Sequence, residues 1–284
     1  MARIAKARRS GGPRRRWSRT LVRWIVLVVI GAYLLVPLLS MLDFSTRGAG
    51  SSRTLEAWKA IGSFPELLSA IAVSLELAVL TVAGMLCLLV PTMVWVHLRL
   101  PGLRRTMEFV CLLPLTIPAI VLVVGLSPVF KWLTYFFGDT PLVLAFIFVV
   151  LVLPYAYRAI DAGLRAVDIE TLSEAALGLG ASWWGTLFRI VIPSIRGALL
   201  SAAVLSIALV MGEYTIASLL NYNTLQVVLY QVGLRNAAVS VAVSLAALIF
   251  GFVLLFVVSS AGSRRRGAAR EETTLAPLEG GLPL

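Results

Sequence analysis

The most regular feature of the chain is a series of long apolar runs separated by short polar segments. A membrane-spanning helix needs about 20 consecutive, mostly apolar residues, and six runs satisfy this requirement. They cover residues 21–42, 68–96, 108–126, 141–159, 197–220 and 237–260. The pattern therefore predicts an all-α membrane protein with six transmembrane helices.

Three prolines lie inside the third and fourth runs. Pro114 and Pro118 lie in the third run and Pro154 lies in the fourth. Proline removes a backbone donor, which a membrane protein tolerates where neighbouring helices or a cavity satisfy the freed carbonyls. Residues 113–118 are therefore a candidate for irregular helix near the pathway, and a simple packing kink is the alternative. The aromatic residues that follow, Trp132 to Phe137, are typical of a belt at the outer membrane interface.

Composition supports a lipid environment, because 59% of the 284 residues are hydrophobic and only 14% are charged. Soluble domains carry about 25% charged residues. A net charge of +11 would be compatible with binding to nucleic acid. The basic clusters flank apolar runs, however, which indicates contacts to anionic lipid instead. We therefore expect a lipid bilayer and no nucleic acid as partner.

The distribution of basic residues predicts the orientation. If the N-terminus is cytoplasmic, 20 of the 25 Lys and Arg residues fall on the cytoplasmic side, as positively charged loops do. Residues 1–20 are then a basic cytoplasmic tail, 21–262 the six-helix domain and 263–284 a disordered cytoplasmic tail. The first run is longer than a signal-peptide core and is expected to be a retained anchor.

The connection between the fourth and fifth runs, about residues 160–196, is too long for a simple turn and is expected to be structured. Thr171 and Glu174 have capping-box spacing, which predicts the start of a short helix there. Gly178 and Gly180 would end that helix. Ser182 is placed to cap a second helix, 183–191, which Pro193 would close.

This loop resembles the EAA loop of binding-protein-dependent ABC importer permeases. Glu174-Ala175-Ala176 is followed after three positions by Gly180, and after nine more by Ile190-x-Ile192-Pro193. The family has Leu where this chain has Ile192. The resemblance implies the type I importer permease fold and an ATPase-coupling role for one set of residues. They are Glu174, Ala175, Ala176, Leu177, Gly178, Gly180, Ile190 and Pro193.

The resemblance also implies partners and a location. Expected partners are a cytoplasmic ABC ATPase dimer, an extracytoplasmic binding protein and a second permease subunit, in a heterodimer rather than a homodimer. The chain would be a multi-pass protein of the bacterial inner membrane. None of its lysines follows a glycine, so it lacks the Gly-Lys pair of a phosphate-binding P-loop. It is therefore expected to be non-catalytic, with ATP and Mg²⁺ on the partner and neither cofactor nor metal of its own.

Polar residues inside the apolar runs are candidates for a substrate pathway, because a charge in the bilayer is costly and usually faces a cavity. The candidates are Glu213, Tyr214, Asn221 and Glu76. For Glu213 a structural hydrogen bond is the alternative, and for Glu76 the structural role is favoured. The single histidine, His97, lies beside Arg99 and is expected in an exposed loop.

The substrate prediction is a polyamine such as spermidine or putrescine, because the segment 180–231 resembles the polyamine, aminophosphonate and ferric branch. Carboxylates and aromatic faces also suit ammonium groups. Aminophosphonate, ferric and oxyanion substrates are alternatives. From other functional classes, a membrane scaffold and a proton-coupled secondary transporter that uses Glu213 also stay open.

Overall fold

The computed structural model describes residues 14–48, 52–253 and 256, with side chains from Leu21 onward. These residues form helices and connecting turns and no strand, which confirms the predicted all-α fold. The helices are α1 (Arg14–Ser45), α2 (Glu56–Lys59), α3 (Pro65–Arg99), α4 (Arg104–Leu112), α5 (Ala119–Phe137), α6 (Leu144–Arg165), α7 (Ile169–Gly178), α8 (Trp183–Thr186), α9 (Ile192–Ser194), α10 (Arg196–Met211), α11 (Thr215–Leu219), α12 (Leu225–Arg235) and α13 (Ala237–Val253).

Several of these helices could cross a membrane. Within the described residues, four segments are long and apolar enough: Leu21–Ser45, Pro65–Arg99, Ala119–Phe137 and Pro141–Arg165. A fifth results if Trp183–Ser194 and α10, which meet at 76°, are taken as one span. α13 is apolar but shorter, and almost all of 254–260 lies outside the described residues, as do 1–13 and the tail 263–284. The six-span count and the cytoplasmic termini stay predictions.

The predicted third span, 108–126, is not one continuous helix. α4 gives way to a 3₁₀ turn, Leu113–Thr116, then Ile117 is extended and α5 begins after Pro118. A proline excludes the helical conformation from the residue before it, which explains the break at Ile117. The irregular segment is confirmed, but the predicted end at 126 was wrong, because α5 continues to Phe137.

α3, α6 and α10 pack together as the centre of the bundle, around fully buried side chains such as Leu77, Met85 and Phe148. Lipid is as apolar as the helices, so close packing rather than the hydrophobic effect holds them together. Gly163 on α6 allows the closest approach, because a Cβ there would overlap the Cβ of Ala198 on α10.

Two helices frame this centre differently. α12 packs on the N-terminal half of α3, where the Leu225 N–H donates to the buried Ser74 Oγ at 2.8 Å. α1, by contrast, exposes nearly every side chain along its span. It contacts the chain near its end, where Trp58 Nε1 donates to Ser45 Oγ at 3.2 Å. The surface of α1 therefore remains open to lipid or to a partner.

Candidate functional site

The loop between α6 and α10 begins with a capped helix. The Asp168 carboxylate accepts a hydrogen bond from the Thr171 N–H at 3.2 Å and another from the Thr171 hydroxyl at 2.8 Å. Asp168 is therefore the N-cap of α7. The predicted capping box was wrong, because Thr171 and Glu174 both lie inside the helix, and the Thr171 hydroxyl is already bound to Asp168.

The end of α7 is confirmed at the predicted glycines. α7 ends at Gly178, and Gly180 adopts a positive φ of 87°. The Gly180 N–H donates to Leu177 O and the Ala181 N–H donates to Ala176 O, both at 3.0 Å. These two bonds define a Schellman turn, which satisfies the last carbonyls of the helix and gives the following residues a fixed direction.

The exposed part of α7 and its turn is small and partly apolar. Glu174, Ala175 and Leu177 are exposed, whereas Ala176 is only 7% exposed and packs inward. Of the predicted coupling residues, Ala176 therefore packs against this chain's own helices instead of lying on the exposed side of α7. Leu179, between the two glycines, is 91% exposed. Leu179 was not among the predicted coupling residues, although its position as an apolar residue between two turn glycines is a sequence signal for an exposed side chain.

The second part of the loop starts at the predicted cap, where Ser182 Oγ accepts the Gly185 N–H at 3.1 Å. Trp184 and Phe188 then lie exposed on one side with their rings stacked, 6.0 Å between centroids. Exposed aromatic side chains beside a membrane span are typical of the interface between lipid and water. The second part of the loop therefore carries an exposed aromatic surface.

The predicted helix 183–191 is α-helical only over its first turn. Leu187–Val191 forms a π-helical turn and α9 follows it. Pro193 has no N–H to continue the ladder, which accounts for the local change of pitch. Ile190 is half-buried and Pro193 is exposed, and both residues precede the 76° bend at which α10 begins.

A cleft of about 280 Å³ separates α7 from the end of α3. Its lining includes His97, Glu170, Ser173 and Glu174. His97 is only 5% exposed, so the predicted exposed loop histidine was wrong. The reason is that α3 extends to Arg99, beyond the predicted end of the second span, and places the imidazole between helices.

The predicted pathway residue Glu213 lies at a break in the predicted fifth span. α10 ends at Met211, and the Glu213 carboxylate accepts the Ile216 N–H at 3.1 Å and the Ala217 N–H at 3.5 Å. It thus caps the short helix α11. The continuous span 197–220 was a wrong prediction, because the sequence Gly212-Glu213 provides both a helix end and a new cap.

The other predicted pathway residues do not form one cluster. Tyr214 contacts Tyr230, with 5.8 Å between ring centroids. Asn221 has a positive φ of 61° and ends α11 in a turn of its own. Glu76 is exposed on the side of α3. Among the described residues, no hydrogen bond or ion pair joins Glu76 to Glu213, Tyr214 or Asn221.

Comparison with known proteins gives a match over most of the domain. Residues 98–265 match the family described as "Binding-protein-dependent transport system inner membrane component". This range covers the loop and more than half of the chain.

Three relatives illustrate the similarity. The molybdenum transport system permease protein ModB of Azotobacter vinelandii is 30% identical over 55% of this chain and 74% of its own length. A protein of Chlorokybus atmophyticus named for sulfate transport is 29% identical over 42% of this chain and 46% of the relative. A protein of Haemophilus influenzae named for ferric transport is 35% identical over 36% of this chain. The chain spans only 16% of that last protein and less than half of the Chlorokybus one.

Proposed function

This chain belongs to the family of binding-protein-dependent transport system inner membrane components, and we propose that it forms one half of the translocation pathway of an ATP-driven importer. It is a multi-pass protein of the bacterial inner membrane. Permeases of this family work with an ATPase and a substrate-binding protein. These partners perform functions that are separate from forming the pathway. In this proposal ATP and Mg²⁺ bind to the ATPase.

The observation that carries the proposal is the exposed end of α7, on the side of the membrane assigned to the cytoplasm. Leu179 would enter an apolar pocket of the ATPase. Burying a leucine side chain that was fully exposed contributes about 1.5–3 kcal/mol to the binding free energy. Glu174 would pair with a basic or polar group beside that pocket. Because the Schellman turn at Gly180 already orders Leu179, little conformational entropy would be lost on docking.

Closure of the ATPase dimer would then move the loop and change the accessibility of the pathway. α7 follows α6 after a linker of three residues, 166–168, so a displacement of α7 reaches α6 directly. α6 in turn packs closely on α10 through Gly163. The bundle would switch between two packed states, biased by ATP, rather than deform continuously.

The second half of the pathway would come from another permease subunit. Glu76 is exposed on α3, and a charge facing lipid costs about 2.5–3.5 kcal/mol. A water-filled pathway between two subunits would remove this cost. We propose a homologous permease rather than a second copy as the partner, with Glu76, Tyr214 and Asn221 on the pathway side. Co-expression of the two permeases should then yield a complex that this chain alone does not form.

For the substrate we propose a sulfate- or molybdate-like oxyanion, with ferric ion as the alternative. The support is that relatives carry names of sulfate, molybdenum and ferric transport. The predicted polyamine finds no support among them. The Glu213 carboxylate is also bound to backbone N–H groups, which leaves it poorly placed to receive an ammonium group.

Reconstitution in proteoliposomes with the ATPase and the binding protein tests this proposal. We expect uptake of labelled sulfate or molybdate, but not of spermidine, that requires internal ATP. Uptake that continues without ATP and stops when the proton gradient collapses would instead favour a secondary transporter. Exclusive uptake of spermidine would contradict the substrate proposal while leaving the importer proposal standing.

Docking is tested separately with Glu174→Arg, which should abolish co-purification of the ATPase without unfolding the bundle. Glu56→Arg is the matched control, because Glu56 is an exposed glutamate in α2, on the side assigned to the exterior. Normal amounts of ATPase bound to the Glu174→Arg variant would refute the docking site.

A further inference from the structure

One arginine connects three segments at the cytoplasmic end of the bundle. Arg104, the first residue of α4, donates from Nη2 to the Glu170 carboxylate of α7 at 2.8 Å. The same nitrogen donates to the backbone carbonyl of His97 on α3 at 2.9 Å. Arg104 therefore bonds α7 to the end of α3 and to the start of α4, which are far from α7 in the sequence.

Behind Arg104 lies a second, buried pair. His97 Nε2 is 3.5 Å from the Asp161 carboxylate of α6, and the other Asp161 oxygen accepts Arg165 Nε at 2.7 Å. The His97 and Asp161 side chains are 6% and 15% exposed. His97 Nε2 and Asp161 Oδ1 are buried and have no hydrogen-bond partner among the described residues, so this contact places the α3 and α6 ends side by side without a hydrogen bond between them.

We propose that Arg104 is a positioning residue for coupling: it carries the displacement of α7 to α3 and α4 at the same time as the short linker carries it to α6. This inference rests on the proposed importer function and adds the residue pair, Arg104 and Glu170, through which the loop acts on α3 and α4. The contact of His97 with Asp161 places the α3 and α6 ends side by side, where both displacements arrive.

The reason a directional bond is needed lies in the other contacts of α7. Ile169, Ser173 and Ala176 are its buried side chains, and such packing is non-directional and permits sliding. Among the residues that the structure describes, Arg104–Glu170 is the only side-chain hydrogen bond between α7 and α3 or α4. A charge-assisted bond fixes both distance and direction, which packing alone does not.

The alternative is that the pair only stabilises the fold. The Glu170 side chain is 61% exposed and that of Arg104 34%, and exposed ion pairs contribute only about 0–1 kcal/mol to stability. Removing Glu170 should therefore leave folding and ATPase binding nearly unchanged. An effect on transport without an effect on assembly is what separates positioning from stabilisation.

The test uses the complete transporter in proteoliposomes and measures substrate molecules imported per ATP hydrolysed, with co-purified ATPase as the measure of assembly. The variants are Arg104→Ala, Glu170→Ala, the double variant and Glu170→Gln. The matched control is Arg105→Ala, because Arg105 is the exposed neighbour of Arg104 on the same helix turn. Binding of the ATPase to the wild-type chain is measured first, and its failure would refute the proposed function rather than this inference.

For Arg104→Ala and for Glu170→Ala we expect normal assembly and a drop of about fivefold in the import ratio. The double variant should lose no more than Arg104→Ala, because both substitutions break the same connection. Glu170→Gln keeps an acceptor oxygen and should recover most of the ratio, and Arg105→Ala should match the wild type. A wild-type ratio in Glu170→Ala, or losses that multiply in the double variant, would overturn the proposal.

Discussion

Replacing Gly180 by alanine tests whether the geometry of the turn after α7 controls docking of the ATPase. Gly180 has a positive φ of 87°, and a Cβ built there meets no atom within 4 Å. The substitution therefore causes no collision, and its whole effect comes from the backbone. An L-residue in the left-handed region costs about 1–2 kcal/mol. The Schellman turn should lose stability by that amount.

The same loop provides the matched control. Gly178 also has open space around a built Cβ, but its φ is not positive. Gly178→Ala should therefore keep the turn and add helix propensity of up to about 1 kcal/mol. Asparagine tolerates the left-handed region, so Gly180→Asn should fall between alanine and the wild type.

The expected effect on docking follows from the population of the correct turn. If the competent conformer becomes less populated by about 1–2 kcal/mol, the apparent affinity for the ATPase falls by up to about 5- to 30-fold. Titration of the detergent-solubilised permease with the ATPase measures this change, and circular dichroism checks that the helices remain. Wild-type affinity in Gly180→Ala, or an equal loss in Gly178→Ala, would refute the reasoning.

Three further predictions concern packing, capping and the exposed leucine. Gly163→Ala should lower the melting temperature, because the new Cβ would overlap that of Ala198. Gly197→Ala should leave it unchanged, because a Cβ built at Gly197 meets no atom within 4 Å. An equal Tm for both variants would contradict the packing argument. Glu213→Ala should lower the free energy of unfolding by about 1 kcal/mol, whereas Glu213→Gln keeps an acceptor for the α11 N–H groups and should lose less. Chemical unfolding measures both variants. A similar loss in both would mean that the charge of Glu213 matters more than its capping hydrogen bonds. Leu179→Ser should weaken ATPase binding at least about tenfold with no change in Tm, and unchanged binding would exclude the leucine from the docking surface.

The loop at residues 160–196 shows which local structure can be predicted from nearby residues. The helix end at Gly178 and Gly180 and the cap at Ser182 were predicted correctly, because glycine and serine act on backbone groups only a few residues away. The start of α7 was placed three residues late, since Asp168 and Thr171 both suit an N-cap and only the folded backbone selects between them. The inward direction of Ala176 also required the neighbouring helices.

The sequence by itself determined that the chain is a helical membrane protein with a structured loop, because lipid demands long apolar segments and turns demand particular residues. It did not determine which side of each helix meets another helix. A membrane helix is apolar on every side, so hydrophobicity does not distinguish Leu77, buried in the bundle, from Leu80, exposed on the same helix. Only the tertiary structure decided that distinction, together with the burial of His97 and the contact of Arg104 with Glu170 across 66 positions of sequence.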